Sequence, residues 1–161
     1  MAMPKNLKNW NIFLDGENWA GQVEEIELPK IAKKVEDYQG AGMSAPVSIP
    51  MGYEKMELSF SCAGLLLSAE KKFQTCGIDK IMLRFSGSYQ DDVSCIHYAG
   101  DIIVRGMITE REAGTAKNGE KNTRKYMMHL AYYKEVVNGE TITEIDALSP
   151  QNADIANNIG L

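Results

Sequence analysis

The sequence predicts a mainly β protein, an antiparallel β-sandwich or barrel with one flanking α-helix and a long inter-strand loop. Apolar and polar residues alternate with period two over most of the chain, which is typical of half-buried strands. Asp15-Gly16 and Asn138-Gly139 are two-residue hairpin signals between apolar runs. Only residues 65–76 show helical spacing. Because no repeat or linker interrupts the 161 residues, they form a single predicted domain, 1–161.

The bulk properties exclude some classes of protein. A net charge of -5 argues against a basic surface that binds nucleic acid. Three cysteines without a C-x-x-C pair favour reduced thiols and a reducing cytoplasm. We expect no secretion signal, since the first residues lack an apolar core of signal-peptide length. We also expect no membrane insertion of this chain, because no window approaches the ~20 apolar residues of a membrane helix.

The first predicted hairpin turns at Asp15-Gly16, and its second arm runs through residues 22–38. Pro29 cannot donate a hydrogen bond to a strand ladder, so a bulge or an edge is expected there. Trp10 and Trp19 flank the turn and are interpreted as packing anchors.

The stretch EDYQGAGMSAPVSIP, residues 36–50, is too long for a tight turn. It contains two glycines and two prolines, but also the apolar side chains of Tyr38, Met43 and Val47. Two interpretations are equally supported by the residues alone. The segment is either a mobile surface loop or an arm that reaches into a groove of another copy.

The strand after this loop presents one apolar and one polar face. Met56, Leu58, Phe60 and Cys62 alternate with Glu57, Ser59 and Ser61, which are predicted to be wet. The preceding strand has the opposite phase, so a register break is expected near Gly52.

In the predicted helix 65–76, four residues form the buried stripe, three others face away, and Gly77 is placed as the C-terminal cap. The stripe is Leu66, Ala69, Phe73 and Cys76; the outward residues are Glu70, Lys71 and Gln74.

The second half of the chain is predicted to be strand again. Residues 95–112 form one long strand, bent at Gly100. In the strand that follows, one face is expected to carry Tyr126, Met128, Leu130 and Tyr132. The segment 148–161 is small and polar, so it is predicted to fray or to dock on a neighbour.

No constellation of catalytic residues is found, so we predict neither an enzyme nor a cofactor or metal site. His97 and His129 lack an adjacent nucleophile and metal-ligand spacing. In GTAKNGEK, residues 114–121, Glu120 follows the second glycine where a phosphate loop requires lysine. Asp91, Asp92 and Asp101 lack calcium-loop spacing.

The predicted strands are longer than the usual 5–6 residues. In a chain of this size they leave open edges, which pair readily with other chains. Copies that join edge to edge in a closed ring have no open edges left.

Five segments point to one family. They occur in the same order as in the major tail tube proteins of contractile-tailed phages, and the resemblance covers residues 4–147. The segments are the run from LKNWNIFLDGENW to APVSI, then LRFSGSYQDD, IVRGMITE, GTAKNGE and YYKEVVNGETITEID.

This resemblance implies the tail tube fold, with six subunits in a ring and rings stacked into a tube inside the sheath. DNA passes through the lumen without specific binding. The implied location is the virion tail, after assembly in the bacterial host cytoplasm. Besides other copies, the implied partners are the sheath, tail terminator, baseplate and tape-measure proteins.

Three sets of residues take roles from the resemblance. The inter-ring contact is the loop 37–50, the sheath-facing surface is the helix, and the lumen is acidic. The loop residues are Tyr38, Gly40, Gly42, Met43, Pro46 and Val47; the helix residues are Glu70, Lys71 and Gln74; the lumen candidates are Glu57, Ser59 and Ser61.

Three alternatives remain open. The chain is also compatible with the tube of a phage-derived bacteriocin or related injection device, and with the secreted ring protein of type VI secretion. A binding module with a ligand cavity inside its barrel belongs to a different class. Such a module stays monomeric and gains thermal stability with ligand.

Overall fold

Eight antiparallel strands form one curled sheet that encloses a single core in the computed structural model, which describes residues 3–148. The strand order is β2-β1-β7-β8-β9-β6-β3, and β10 also pairs with β9. A separate two-stranded sheet consists of β4 and β5. The elements are β1 (Lys5–Leu14), β2 (Glu17–Asn18), β3 (Val23–Glu27), β4 (Lys33–Tyr38), β5 (Val47–Tyr53), β6 (Met56–Ala63), α1 (Leu67–Lys72), β7 (Ile81–Asp91), β8 (His97–Glu112), β9 (Thr123–Val137) and β10 (Glu140–Asp146).

Both predicted two-residue turns are present. Asp15 and Gly16 have φ of 46° and 85°, and Asn138 and Gly139 have φ of 50° and 82°. Left-handed backbone at both positions matches the right-handed twist of the strands, which is why Asp-Gly and Asn-Gly occur there.

The core lies on the concave face of the sheet and is rich in aromatic rings. The ring of Phe60 lies 5.7 Å from that of Trp19 and 5.2 Å from that of Tyr126, and all three side chains are buried. Trp10 stacks on Phe85 at 5.8 Å. The interpretation of both tryptophans as packing anchors is confirmed.

The strand β9 carries two partners on one edge. Residues Thr123–Leu130 pair with β6, and residues Tyr132–Val137 pair with β10. The hairpin β4–β5 leaves the sheet where these two partners meet, since β5 leads directly into β6.

The curled sheet has two ends. At the end that we call the tyrosine end, after Tyr89 and Tyr98, Lys5 pairs with Asp91 and Gln90 pairs with His97. At the opposite end, which we call the helix end, Ala63 pairs with Thr123, and α1 follows.

The prediction of a single long arm over residues 22–38 is wrong. It consists of β3, which pairs with β6, and β4, which pairs with β5 in the second sheet. Pro29 lies in the break between them, where no ladder hydrogen bond is required.

The face assignment in β9 is correct only as far as Leu130. Leu130 pairs with Gly106 and Tyr132 pairs with Arg105, so Ala131 is an extra residue in β9. This bulge exchanges the faces. Tyr133 therefore enters the core in place of the predicted Tyr132, whose ring lies outside against Arg105.

The bend expected at Gly100 is also displaced. The pairing runs without a shift through Gly100, and the irregularities of β8 occur at Arg105/Gly106 and Ile108/Glu110. A Cβ atom at Gly106 would lie 2.1 Å from the carbonyl oxygen of His129, so only glycine fits this approach.

Helix α1 is shorter than the predicted 65–76. It spans six residues, ends at Lys72, and has no side-chain hydrogen bond at its N-cap. Gly77 has φ of 116° but lies beyond the helix C-cap, Phe73. Gly52, where a register break was expected, has φ of 102°. The predicted tail 148–161 lies outside the described residues except for Leu148.

Candidate assembly surfaces

The hairpin β4–β5 exposes almost all of its residues. Every residue of β4 is exposed, and so is every residue of β5 except Tyr53. Five large apolar side chains are among them: Val35, Tyr38, Val47, Ile49 and Met51. Surface patches of this kind mark interaction sites more often than isolated exposed residues do.

The hairpin also lacks charged residues from the end of β4 through the whole of β5. Residues 38–53, which we call the uncharged segment, contain no Asp, Glu, Lys, Arg or His, although 24% of the chain is Asp, Glu, Lys or Arg. A surface that remains in water normally carries charges. The composition is therefore unusual for a surface that remains in water.

The predicted loop 37–50 is shorter in the structure, because its ends belong to the strands. Tyr38 pairs with Val47 and Glu36 pairs with Ile49, which leaves residues 39–46 as the connection. We call residues 39–46 the tip.

The tip has hydrogen bonds of its own. The amide of Met43 donates to the carbonyl of Gly40 at 3.2 Å, and the side-chain amide of Gln39 donates to the carbonyl of Met43 at 3.1 Å. Gly42 has φ of 84° at the third position of this turn, where type II turns require glycine. The aromatic ring of Tyr38 covers Gly40, where a Cβ atom would lie 2.9 Å from the tyrosine oxygen.

Lys71 on α1 and Gln74 just after it are exposed as predicted, but the prediction for Glu70 is wrong. Only 14% of its side chain is exposed. Its carboxylate accepts hydrogen bonds from Arg111 at 2.6 Å, Arg124 at 2.7 Å and Tyr126 at 2.6 Å. We call these four residues the Glu70 cluster.

Glu70 points inward because α1 lies across the helix end of the sheet. The arginines come from β8 and β9, and a buried hydroxyl and a partly buried guanidinium require an acceptor there. The hydrogen bond from Tyr126 lowers the pKa of Glu70, and the two arginines lower it further against the opposing effect of burial.

The lumen candidates lie on the convex face of the sheet, but they differ in exposure. Glu57 is exposed and lies 3.1 Å from Lys55 and 3.5 Å from the imidazole of His129. Ser59 and Ser61 are buried, so the prediction of a wet face is wrong for them. Glu27 and Glu25 of the neighbouring β3 cover them and accept their hydroxyl hydrogen bonds at 3.2 and 3.5 Å.

Four further carboxylates share this face and were not among the predicted lumen candidates. Directly paired residues point to the same side of a sheet. Glu110 pairs with Met127 and Glu112 with Lys125, while Ser59 and Ser61 pair with the same two residues of β9. Together with Glu57, the face carries Glu25, Glu27, Glu110 and Glu112.

No group of three or more His, Cys, Asp or Glu residues within 3–148 is arranged to hold a metal ion. No helix in that range is long and apolar enough to cross a membrane. Cys62, Cys76 and Cys95 are free, and burial raises the pKa of Cys62 to about 11.

The curled sheet with its projecting hairpin matches solved tube assemblies. A chain of the sheath-tube complex of an extracellular contractile injection system aligns with a TM-score of 0.62 at 8% identity, over 83% of this chain and 91% of that one. A chain of the tube-terminating cap of the anti-feeding prophage aligns with a TM-score of 0.61 at 10% identity, over 84% and 94%. At these identities the likeness defines the fold.

The sequence comparisons define the family. A model of the family described as phage tail tube protein FII matches residues 4–151. The tail tube protein of Escherichia phage P2 is 34% identical over 92% of this chain and 88% of its own length. The major tail tube protein of Serratia phage KSP20 is 34% identical over 92% and 86%. The chain therefore belongs to the phage tail tube protein family, which confirms the resemblance, and its role is structural.

Proposed function

We propose that six copies of this chain close into a ring and that the rings stack into the inner tube of a contractile phage tail. Membership in the tail tube family carries this proposal. The hairpin β4–β5 supplies the contact between rings, because its uncharged segment is the surface of the single chain least suited to water. The chain is made in the host cytoplasm and performs no catalytic step.

The carboxylates of the convex face line the lumen in this proposal. Glu25, Glu27, Glu57, Glu110 and Glu112 repel phosphates, so DNA slides past them without binding. Ser59 and Ser61 lie beneath the first two and support them. A density map of the tube that places these carboxylates on the outer wall contradicts this assignment.

The exposed side of α1 faces the sheath. Lys71 and Gln74 carry the contact, while Glu70 belongs to the inner support of the helix. Terminator, baseplate and tape-measure proteins complete the set of partners. Substituting Lys71 with Glu is expected to weaken sheath attachment while tubes still form, and unchanged sheath attachment would remove this face from the contact.

The direct test is negative-stain electron microscopy of the purified protein. Concentrated protein is expected to form rings or tubes of uniform diameter. Protein that stays monomeric at every concentration and salt contradicts the proposal.

A shortened hairpin tests the ring contact. In this variant, Asn-Gly replaces the tip, since it forms a tight turn between the paired residues Tyr38 and Val47. Rings are expected to survive while stacking fails. The matched control replaces Lys117 and Asn118 with serine in the exposed connection between β8 and β9, and it is expected to stack normally.

A second candidate is the tube of an injection device that carries no genome, because one aligned structure comes from an extracellular contractile injection system. Particles that contain this chain distinguish the two functions. Nuclease-resistant DNA in the purified particles supports the phage tail, and its consistent absence supports the device.

A further inference from the structure

The two ends of the curled sheet differ in what covers the core. At the helix end, α1 lies over it, with Ala69 and Leu66 buried and the ring of Phe73 5.3 Å from the guanidinium of Arg111. At the tyrosine end no described element covers the core. A cavity of about 390 Å³ opens there, lined by Lys5, Tyr89, Tyr98, Gly100, Asp101, Ile102, Glu135 and Val137.

The three charged residues of this lining already have partners within the chain. The ammonium group of Lys5 lies 4.9 Å from the ring centroid of Tyr98, and Asp101 lies 3.4 Å from Arg84. Glu135 accepts a hydrogen bond from the hydroxyl of Tyr133 at 3.1 Å.

The rest of the wall is apolar. It consists of Tyr89, Tyr98, Gly100, Ile102 and Val137, and burial raises the pKa of Tyr89. Exposed apolar residues continue around the same end of the sheet: Met3, Leu7, Val93 and Ile96. An occupant of this surface gains most if it brings apolar atoms and no charge, because a buried charge without a partner is costly.

The uncharged segment has this chemistry. It is the longest stretch of the sequence without an ionisable Asp, Glu, Lys, Arg or His residue. Its own chain does not cover it, since Tyr38 and Val47 are 55% and 50% exposed. The arms of the hairpin are six and seven residues long, so they project about 20 Å at the usual rise of a strand.

We propose that the cavity at the tyrosine end receives the hairpin tip of another copy of this chain. The inference rests on the proposed stacking of rings and names the receiving surface. The glycines of the tip permit close approach of its backbone to the cavity wall. In an assembled tube, the tip of the neighbouring copy covers the tyrosine end, as α1 covers the helix end within each copy.

Disulfide trapping in assembled tubes tests this contact. The background is Cys76→Ser with Cys95→Ser, which removes the exposed thiols. Ala45→Cys places a thiol on the tip, and Val137→Cys places one on the cavity wall. Oxidation with copper phenanthroline is expected to link chains into dimers and longer ladders on a non-reducing gel. Each single variant is expected to give no ladder.

A matched pair uses Leu67→Cys, an exposed position on α1, in place of Val137→Cys. Tubes that form normally but link through Leu67→Cys, or through neither position, overturn this inference and leave the tube function standing. Absence of tubes from the unmodified chain instead overturns the proposed function and this inference with it.

A second variant does not depend on trapping. Val137→Glu places a second carboxylate beside Glu135 in the cavity and is expected to abolish stacking while rings and the circular dichroism spectrum are retained. The control is Val136→Glu on the opposite face of β9, which is expected to stack. Normal tubes from Val137→Glu contradict the inference.

Discussion

Helix α1 and the hairpin β4–β5 are both too small to be stable alone, and the molecule supports them in opposite ways. A six-residue helix is far below the length at which isolated helices form. An isolated two-stranded hairpin is marginal in water. The helix is fastened to its own chain through the Glu70 cluster, whereas the hairpin has its main pairing within itself.

The difference lies in chemistry as well as in position. The largely covered carboxylate of Glu70 accepts hydrogen bonds from two arginines and a tyrosine of the same chain, so the attachment of α1 is complete in one subunit. The uncharged segment presents apolar side chains to water and has no such attachment. This difference agrees with the proposal that α1 contributes to the stability of the subunit and that the hairpin contributes to assembly.

The largest effect on stability is expected from Glu70→Ala. The substitution leaves the guanidinium of Arg124 and the hydroxyl of Tyr126 without their acceptor. Leaving a buried hydroxyl and a partly buried guanidinium without their charged acceptor costs about 2–3 kcal/mol. Urea unfolding of dilute, unassembled protein measures the change. Gln74→Ala, at an exposed position just after α1, is the control, expected to change the free energy of unfolding by less than about 0.5 kcal/mol. Equal effects of the two substitutions would show that the cluster does not hold the helix.

Tyr126→Phe is expected to have the next largest effect. It removes one hydrogen bond to Glu70 and keeps the ring stacked on Phe60, so the expected loss is about 1–2 kcal/mol. Thermal unfolding checks this. A loss as large as that of Glu70→Ala would mean that the tyrosine, and not the arginines, carries the attachment.

A smaller effect is expected from pH on the stability that Glu70 contributes. The pKa of Glu70 in the folded chain lies below its ordinary value of 4.5, first because Tyr126 donates a hydrogen bond to the carboxylate. Its contribution is therefore fully present above pH 4.5 and is lost as the pH falls through the folded pKa. The difference in unfolding free energy between wild type and Glu70→Gln should shrink below that pH. A constant difference would contradict the lowered pKa.

The smallest effect on stability is expected from Tyr38→Ser with Val47→Ser in the hairpin. Both side chains are about half exposed, so the free energy of unfolding should change by less than about 0.5 kcal/mol. Tube length in electron micrographs should nevertheless fall sharply. Normal tubes, or a large loss of subunit stability, would each show that the division of roles is wrong.

The sequence predicts those parts of the molecule that depend on neighbours along the chain. Alternation gave the strands on either side of the helix, and Asp15-Gly16 and Asn138-Gly139 gave the turns, because each signal is complete within a few residues. The uncharged segment can be recognised in the sequence for the same reason. The strands β4 and β5 extend further into the predicted loop 37–50 than its glycines and prolines indicate.

The wrong predictions depend on residues distant in sequence. Glu70 turns inward because it accepts hydrogen bonds from Arg111 and Arg124, which are 41 and 54 residues away in the sequence. Ser59 and Ser61 are buried because glutamates 32 and 36 residues away cover them. Tyr132 and Tyr133 exchange faces because Ala131 is an extra residue in β9, next to the close approach of the two backbones at Gly106. A single-residue bulge leaves no signal in the alternation of apolar and polar residues, so it cannot be placed until the partner strand is known.

If other copies cover the hairpin while the chain itself holds α1, assembly changes the protection of the first region and not of the second. Hydrogen–deuterium exchange of unassembled subunits and of assembled tubes compares the two regions directly. Peptides that cover residues 38–53 should exchange fast in subunits and markedly more slowly in tubes, while peptides that cover α1 should show a much smaller change. Equal exchange of residues 38–53 in subunits and tubes would contradict the covering of the hairpin by other copies.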